Sequence, residues 1–155
     1  MNEDKRPEKE KAVLIGLRCE GLRDFESSDD DTMNELEELV KTAGGEAVIR
    51  YMQNRAAPDP RSFIGEGKAA EIAEAIKANE IELAVFDNEI SPSQTRVLEK
   101  ELGCRDIDRN ALILDIFADR AKTSEGKLQV ELAQYQYLLP RLSGMWGHLV
   151  RQNAS

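Results

Sequence analysis

The sequence predicts an α/β protein: a small, four-stranded, mainly parallel sheet with flanking helices, followed by a two-helix antiparallel hairpin. Three observations carry that prediction. Short apolar runs alternate with helical patterns as far as Asp108. The connections between them are short, which favours parallel strands joined by crossover helices. Beyond Asp108 the strand pattern stops, and two helical stretches follow one another.

Ala12 to Leu17 (AVLIGL) is a continuous apolar run, as expected of a strand covered on both faces. Asp24 to Asp31 reads as an acidic loop, too charged to pack. Thr32 is expected to start the first helix, closing a capping box with Glu35 three residues on. Met33, Leu36, Leu39, Val40 and Ala43 follow at helical spacing. Gly44-Gly45 ends the helix, because glycine accepts the left-handed conformation there. Ala47 to Met52 is the second strand, and a loop with Pro58 and Pro60 leads from it to Gly65 and Gly67. Lys68 to Asn79 forms the second helix, with Ile72, Ala73 and Ile76 inward. Leu83 to Phe86 is the third strand. Ser91-Pro92-Ser93-Gln94 is a strong helix start, with a serine cap, proline at the first position and glutamine to close the box. That helix runs to Leu102 and stops at Gly103, and Cys104 to Ile107 is a short fourth strand.

Ala111 to Ala121 is helical, with Leu112, Ile113, Ile116 and Phe117 on one side. Thr123-Ser124-Glu125-Gly126 breaks it, and a second helix spans Lys127 to Leu139. Two helices joined by a short polar turn make a hairpin. The chain therefore divides into a flexible leader (1–11), an α/β subdomain (12–108), a helical hairpin subdomain (109–142) and a tail (143–155).

Composition narrows the function. No run of about 18 apolar residues is present, so no helix spans a membrane. The charged N-terminus lacks the apolar stretch of a signal peptide. Cys19 and Cys104 are far apart and His148 is the only histidine, so no zinc or other metal set is formed. Two unpaired thiols suit a cytoplasmic protein. The net charge of −9 argues against nucleic acid, but it is unevenly spread. Residues 1–108 hold 15 Lys/Arg against 26 Asp/Glu, a net of −11, whereas residues 109–155 hold 6 against 4, a net of +2. The last third could approach a polyanion, but a net of +2 over such a length also fits ordinary scatter, and charge alone leaves the question open.

Three places invite a functional reading. Gly65, Gly67 and Lys68 precede a helix, where glycines can cradle an anion or a nucleotide phosphate. The phosphate-loop pattern fails there, because Ser62 stands where its first glycine belongs and Ala69 where its Ser/Thr belongs. A tight glycine loop is the commoner explanation. Asp87, Glu89, Asp106 and Asp108 lie at strand ends, where open sheets bind ligands, but no histidine or nucleophile accompanies them. Helix capping and turn formation explain them better, and no catalytic residue is assigned. Arg120, Lys122 and Lys127 bracket the hairpin turn, with Thr123, Ser124, Glu125 and Gly126 between. Such a tip suits insertion into RNA, although composition alone fits an ordinary solvated turn. Trp146, set among glycines in the tail, needs a surface to pack on.

A resemblance then comes into view. IDRNALILDIFADRAKTSEGKLQVELAQYQYLLPRLSGMWGHLVRQ, residues 107–152, closely resembles the hairpin segment of HflX GTPases. Upstream, RSFIGEGKAAEI and VFDNEISPSQTRVLEKELGCRDIDR are similar to pieces of the same N-terminal domain. The resemblance covers residues 47–152, and residues 1–46 are only loosely similar. It implies an α/β subdomain and a two-helix subdomain, normally followed by a glycine-rich linker and a Ras-like GTPase domain. It implies binding to large-subunit rRNA and a role in splitting or rescuing stalled ribosomes. The hairpin loop, matching Arg120 to Lys127, is implied to be the part that reaches the ribosomal RNA. GTP and magnesium are expected only in the GTPase domain, itself a partner of this region in the full-length protein. The sequence stops at Ser155, before the linker, the P-loop and the nucleotide-specificity motif of that family. No GTPase site is therefore expected within these residues. The other function that the residues leave open is an α/β domain binding an ATP-like small molecule through Gly65–Lys68.

Overall fold

The computed structural model describes residues 9–120, 131–134 and 136–137. The elements alternate as the sequence predicts: β1 (Glu10–Cys19), α1 (Asp30–Thr42), β2 (Gly45–Arg55), α2 (Glu66–Ala78), β3 (Leu83–Phe86), α3 (Pro92–Leu102), β4 (Arg105–Asp108) and α4 (Arg109–Arg120). The four strands form one sheet in the order β2-β1-β3-β4, and every pairing is parallel.

β1 is central, and its residues Ala12 to Leu17 are all buried. Alternate side chains serve opposite faces. Val13, Ile15 and Leu17 join Ala84 and Phe86 of β3 under Ile72 and Ile76 of α2 and Leu98 and Leu102 of α3. Ala12 and Leu14 join Leu83 and Val85 under Met33, Leu36 and Val40 of α1 and Leu112 and Ile116 of α4. The sheet is thus sandwiched, with α2 and α3 on one face and α1 and α4 on the other. This explains the unbroken apolar run, since a strand with two covered faces has no solvent side to mark with polar residues.

Several boundaries move. β1 begins at Glu10, two residues inside the expected leader, and β2 extends to Arg55. α1 does not start at Thr32: Asp29 is its cap, accepting from the Thr32 N–H at 2.8 Å, while Thr32 Oγ1 accepts from the Asp29 N–H at 2.9 Å. Aspartate caps as well as threonine, and a start at Asp30 places Asp30 and Asp31 in the first turn, where the helix dipole favours negative charge. The acidic stretch therefore does pack at its end, and Ser28 is buried. α2 starts at Glu66 rather than Lys68, and β4 starts at Arg105 rather than Cys104. The expected box at α3 is present, with Gln94 N–H donating to Ser91 Oγ and Ser91 N–H to Gln94 Oε1. Gly103 ends α3 at φ 75°, where a side chain would be strained.

Past β4 the switch to helix is immediate, because α4 begins at Arg109. Residues 131–134 and 136–137 are also helical. The expected turn at 121–130, Trp146 and the rest of the tail lie outside the described residues, as do residues 1–8.

Gly16 marks the closest approach of helix and sheet. A Cβ there would lie 2.7 Å from Met33 Sδ and 3.0 Å from both Ser28 Cβ and Oγ. Gly16→Val should therefore destabilise the chain by about 1–3 kcal/mol through overpacking. Urea denaturation at fixed pH measures this, and a midpoint equal to wild type would show that α1 can lift without cost.

Candidate functional site

The β1–β3 boundary is where this sheet reverses its winding. The chain leaving β1 turns to α1 on one face, and the chain leaving β3 turns to α3 on the other. Open α/β sheets hold their ligands in the crevice that such a reversal leaves. Here the protein's own side chains fill it. Asn88 accepts from the Leu17 N–H at 2.8 Å and donates to Leu17 O at 3.0 Å and Glu26 O at 2.8 Å. Ser28 Oγ lies 2.8 Å from Asp87 Oδ2 and 3.1 Å from Asn88 Oδ1.

Asp87 is the hub of this cluster, with its side chain almost wholly buried. Thr32 Oγ1 donates to Oδ2 at 2.6 Å, while Arg109 Nε and Nη2 donate to Oδ1 at 2.9 and 2.5 Å. Arg109 Nη2 also donates to Thr32 O, and its Nη1 sits 3.5 Å from Glu35 Oε1. A buried charge is tolerable only when paired and fully hydrogen-bonded, and Asp87 is both. Asp108 caps α4, accepting from the Ala111 N–H at 3.0 Å, and it also accepts from the Ile90 N–H and the Tyr137 hydroxyl. The strand-end carboxylates thus divide. Asp108 caps as expected, whereas Asp87 forms a buried ion pair. Sequence reasoning passed over Ser28, Thr32, Asn88 and Arg109 as members of one site. The available signal was the polar pair at the end of each short strand, Asp87-Asn88 just after β3 and Asp108-Arg109 where β4 passes into α4.

Beside this cluster runs a groove of about 320 Å³, lined by Arg23, Phe25, Glu26, Asp87, Asn88, Glu89, Arg109 and Asn110. Phe25 is 78% exposed, with the Arg23 guanidinium 4.6 Å above its ring and itself paired with Glu26.

The glycine loop lies at the start of α2. Gly65 has φ 83° and caps the helix without any side-chain hydrogen bond. A Cβ at that position would lie 2.7 Å from Arg55 Nη1, which a shift of that flexible side chain could relieve, so it is the positive φ that favours glycine. Gly67 has open space around it. Lys68 Nζ is 3.2 Å from Glu71 and 5.9 Å from the centre of the Tyr51 ring. Of the expected RNA-contacting tip, Arg120 ends α4, and Lys122, Thr123, Ser124, Glu125, Gly126 and Lys127 lie outside the described residues, as does the Arg120 side chain. Among the described residues no group of three His, Cys, Asp or Glu could hold a metal ion, and no helix is long and apolar enough to cross a membrane.

Comparison with known proteins gives matches along most of the chain. Residues 30–118 match the family described as GTP-binding GTPase N-terminal, and residues 120–155 match the GTP-binding GTPase Middle Region. The GTPase HflX of Escherichia coli K12 is 50% identical over 143 residues, covering 92% of this chain and 32% of that protein. The GTPase HflX of Alkalihalophilus pseudofirmus is 45% identical over 152 residues, covering 98% and 35%. The chain thus spans about a third of the length of these relatives. Among solved structures, a GTP-binding protein of the archaeon Sulfolobus solfataricus, in complex with GDP, shares the fold with a TM-score of 0.66 at 22% identity, over 92% of this chain and 43% of that one.

Asp106 yields a prediction about pH. It is buried beneath α3, and neither side-chain oxygen has a hydrogen-bond partner. Burial first, and the neighbouring Glu99 carboxylate second, push its pKa up to about 8 from an ordinary value of 3.8. Below the ordinary value Asp106 is neutral whether folded or unfolded. Above it the unfolded chain ionises while the folded one keeps its proton, so stability falls as pH rises and levels off past the folded pKa. The fall is at most about 1.4 kcal/mol per pH unit. Asp106→Asn should flatten this slope and raise stability most at about pH 9. Denaturation midpoints followed from about pH 4 to about pH 9 test it, and an unchanged slope would show that another group carries the dependence.

Proposed function

The chain belongs to the family of GTPase N-terminal regions found in HflX proteins, and from that premise we propose that it binds large-subunit rRNA in the splitting or rescue of ribosomes. The observation that carries this reading is the pair of consecutive family matches, from residue 30 to residue 155, over a sequence whose net charge turns positive only in its last third. Phosphate contacts supply most non-specific nucleic-acid affinity. The α/β subdomain, at net −11, is repelled by phosphate, while residues 109–155, at net +2, are not. The hairpin subdomain therefore enters first, and Arg120 to Lys127 form its contact with RNA. The sheet is held away from the RNA and joins the chain's own GTPase domain in the full-length protein.

Hydrolysis of GTP is assigned to that domain, with its GTP and magnesium. Phosphoryl transfer needs a phosphate cradle, a metal ligand and a positioned water. Within these 155 residues no run matches the glycine–Lys–Ser/Thr phosphate loop. The place of action is the cytoplasm, where ribosomes work.

A second reading, binding of an ATP-like nucleotide at Gly65, Gly67 and Lys68, has one observation in its favour. The first turn of α2 starts from a glycine with no side-chain cap, leaving N–H groups that an anion can engage. Lys68 is already paired with Glu71, which weakens it as a phosphate ligand. A rise in melting temperature with ATP, lost in Lys68→Ala, would favour this reading, because a ligand of the native state stabilises by mass action.

Two outcomes test the main proposal. The chain should co-sediment with purified large subunits, and Lys122→Glu with Lys127→Glu should weaken this and flatten its salt dependence by about one unit of slope per lost phosphate contact. Equal binding by a double variant with unchanged circular dichroism would remove the tip from the mechanism. The purified chain should also show no GTP turnover, and turnover that survives Lys68→Ala and repurification would overturn that assignment.

A further inference from the structure

We propose that Asp87, Asp108 and Arg109 form a latch that holds the helical residues 131–134 and 136–137 against the carboxyl end of the sheet. β4 ends at Asp108 and α4 begins at the next residue, so the chain leaves the sheet with no linker. Such a junction has no slack of its own, and its geometry is set by what its two side chains grip.

They grip in different directions. Arg109 reaches Asp87 after β3 and both Thr32 and Glu35 of α1. Asp108 reaches the Ile90 N–H ahead of α3, the Ala111 N–H in α4, and the Tyr137 hydroxyl. One dipeptide therefore joins the end of β3, the start of α1, the segment ahead of α3, α4 and Tyr137. Leu112 and Ile116 bury the inner side of α4, but Phe117 is 55% exposed and Leu132 58% exposed. The grip of Arg109 is not interchangeable with that of another cation. Its fork donates to a carboxylate and to the Thr32 carbonyl together, which a lysine cannot reproduce.

A pair that merely stabilised the α/β subdomain would, when broken, loosen every strand alike. A latch would loosen the outlying helix and leave the sheet intact, since local openings have their own free energies. Amide hydrogen exchange on the whole 155-residue chain separates the two. In Tyr137→Phe, exchange across 131–137 should speed up by about tenfold, the loss of one hydrogen bond, while β1 and β3 keep the wild-type rate. In Arg109→Gln and Arg109→Lys, residues 113–120 and 131–137 should both exchange faster. Unchanged exchange at 131–137, or acceleration of equal size in β1 and β3, would overturn the proposal. Should the Arg109 variants fail to fold, Tyr137→Phe decides alone, because it removes one oxygen and no charge.

Discussion

Burial of β1 on both faces is the constraint from which the other elements follow. Six consecutive residues, Ala12 to Leu17, are buried, and they cannot be so unless helices cover the sheet above and below. Each buried aliphatic side chain contributes about 1.5–3 kcal/mol, so the strand rewards whichever arrangement covers it twice. Parallel pairing with β2 and β3 supplies crossover connections long enough to hold α1 and α2. Gly16 then lets α1 settle onto the strand at a distance that any side chain would prevent.

The same arrangement creates the polar cluster. Winding that reverses between β1 and β3 leaves a crevice at their carboxyl ends. In this chain Asn88 and Ser28 satisfy the backbone groups exposed there, and Asp87 draws in Thr32 and Arg109. The chemistry is that of a joint, since the Ser28, Thr32 and Arg109 donors all end on the Asp87 carboxylate.

Charge distribution points the same way. The acidic two thirds of the chain form the sheet and its helices, and the basic excess begins where the sheet ends. The junction at Asp108 and Arg109 is thus also the boundary between a part repelled by phosphate and a part that is not.

Much of this was legible in the sequence. The apolar run at 12–17, the Ser91–Gln94 box, Gly44 and Gly103 each act through neighbours a few residues away, and such local terms fix element type and order before any folding. Local terms also mislead where two starts compete. Thr32 reads as a cap, yet Asp29 caps α1, and Thr32 closes the box at the third helical position while also donating to Asp87, 55 residues away. The site itself was out of reach for the same reason. Asp87 and Arg109 were visible as a strand-end acid and a base after an acid, but their pairing depends on β3 and β4 lying side by side in register, with Phe86 opposite Asp108. The sequence by itself determined the alternation of elements, their caps and the uneven charge. Only the tertiary structure decided which polar groups meet, because burial and hydrogen bonding act on distances through space that separation along the chain does not encode.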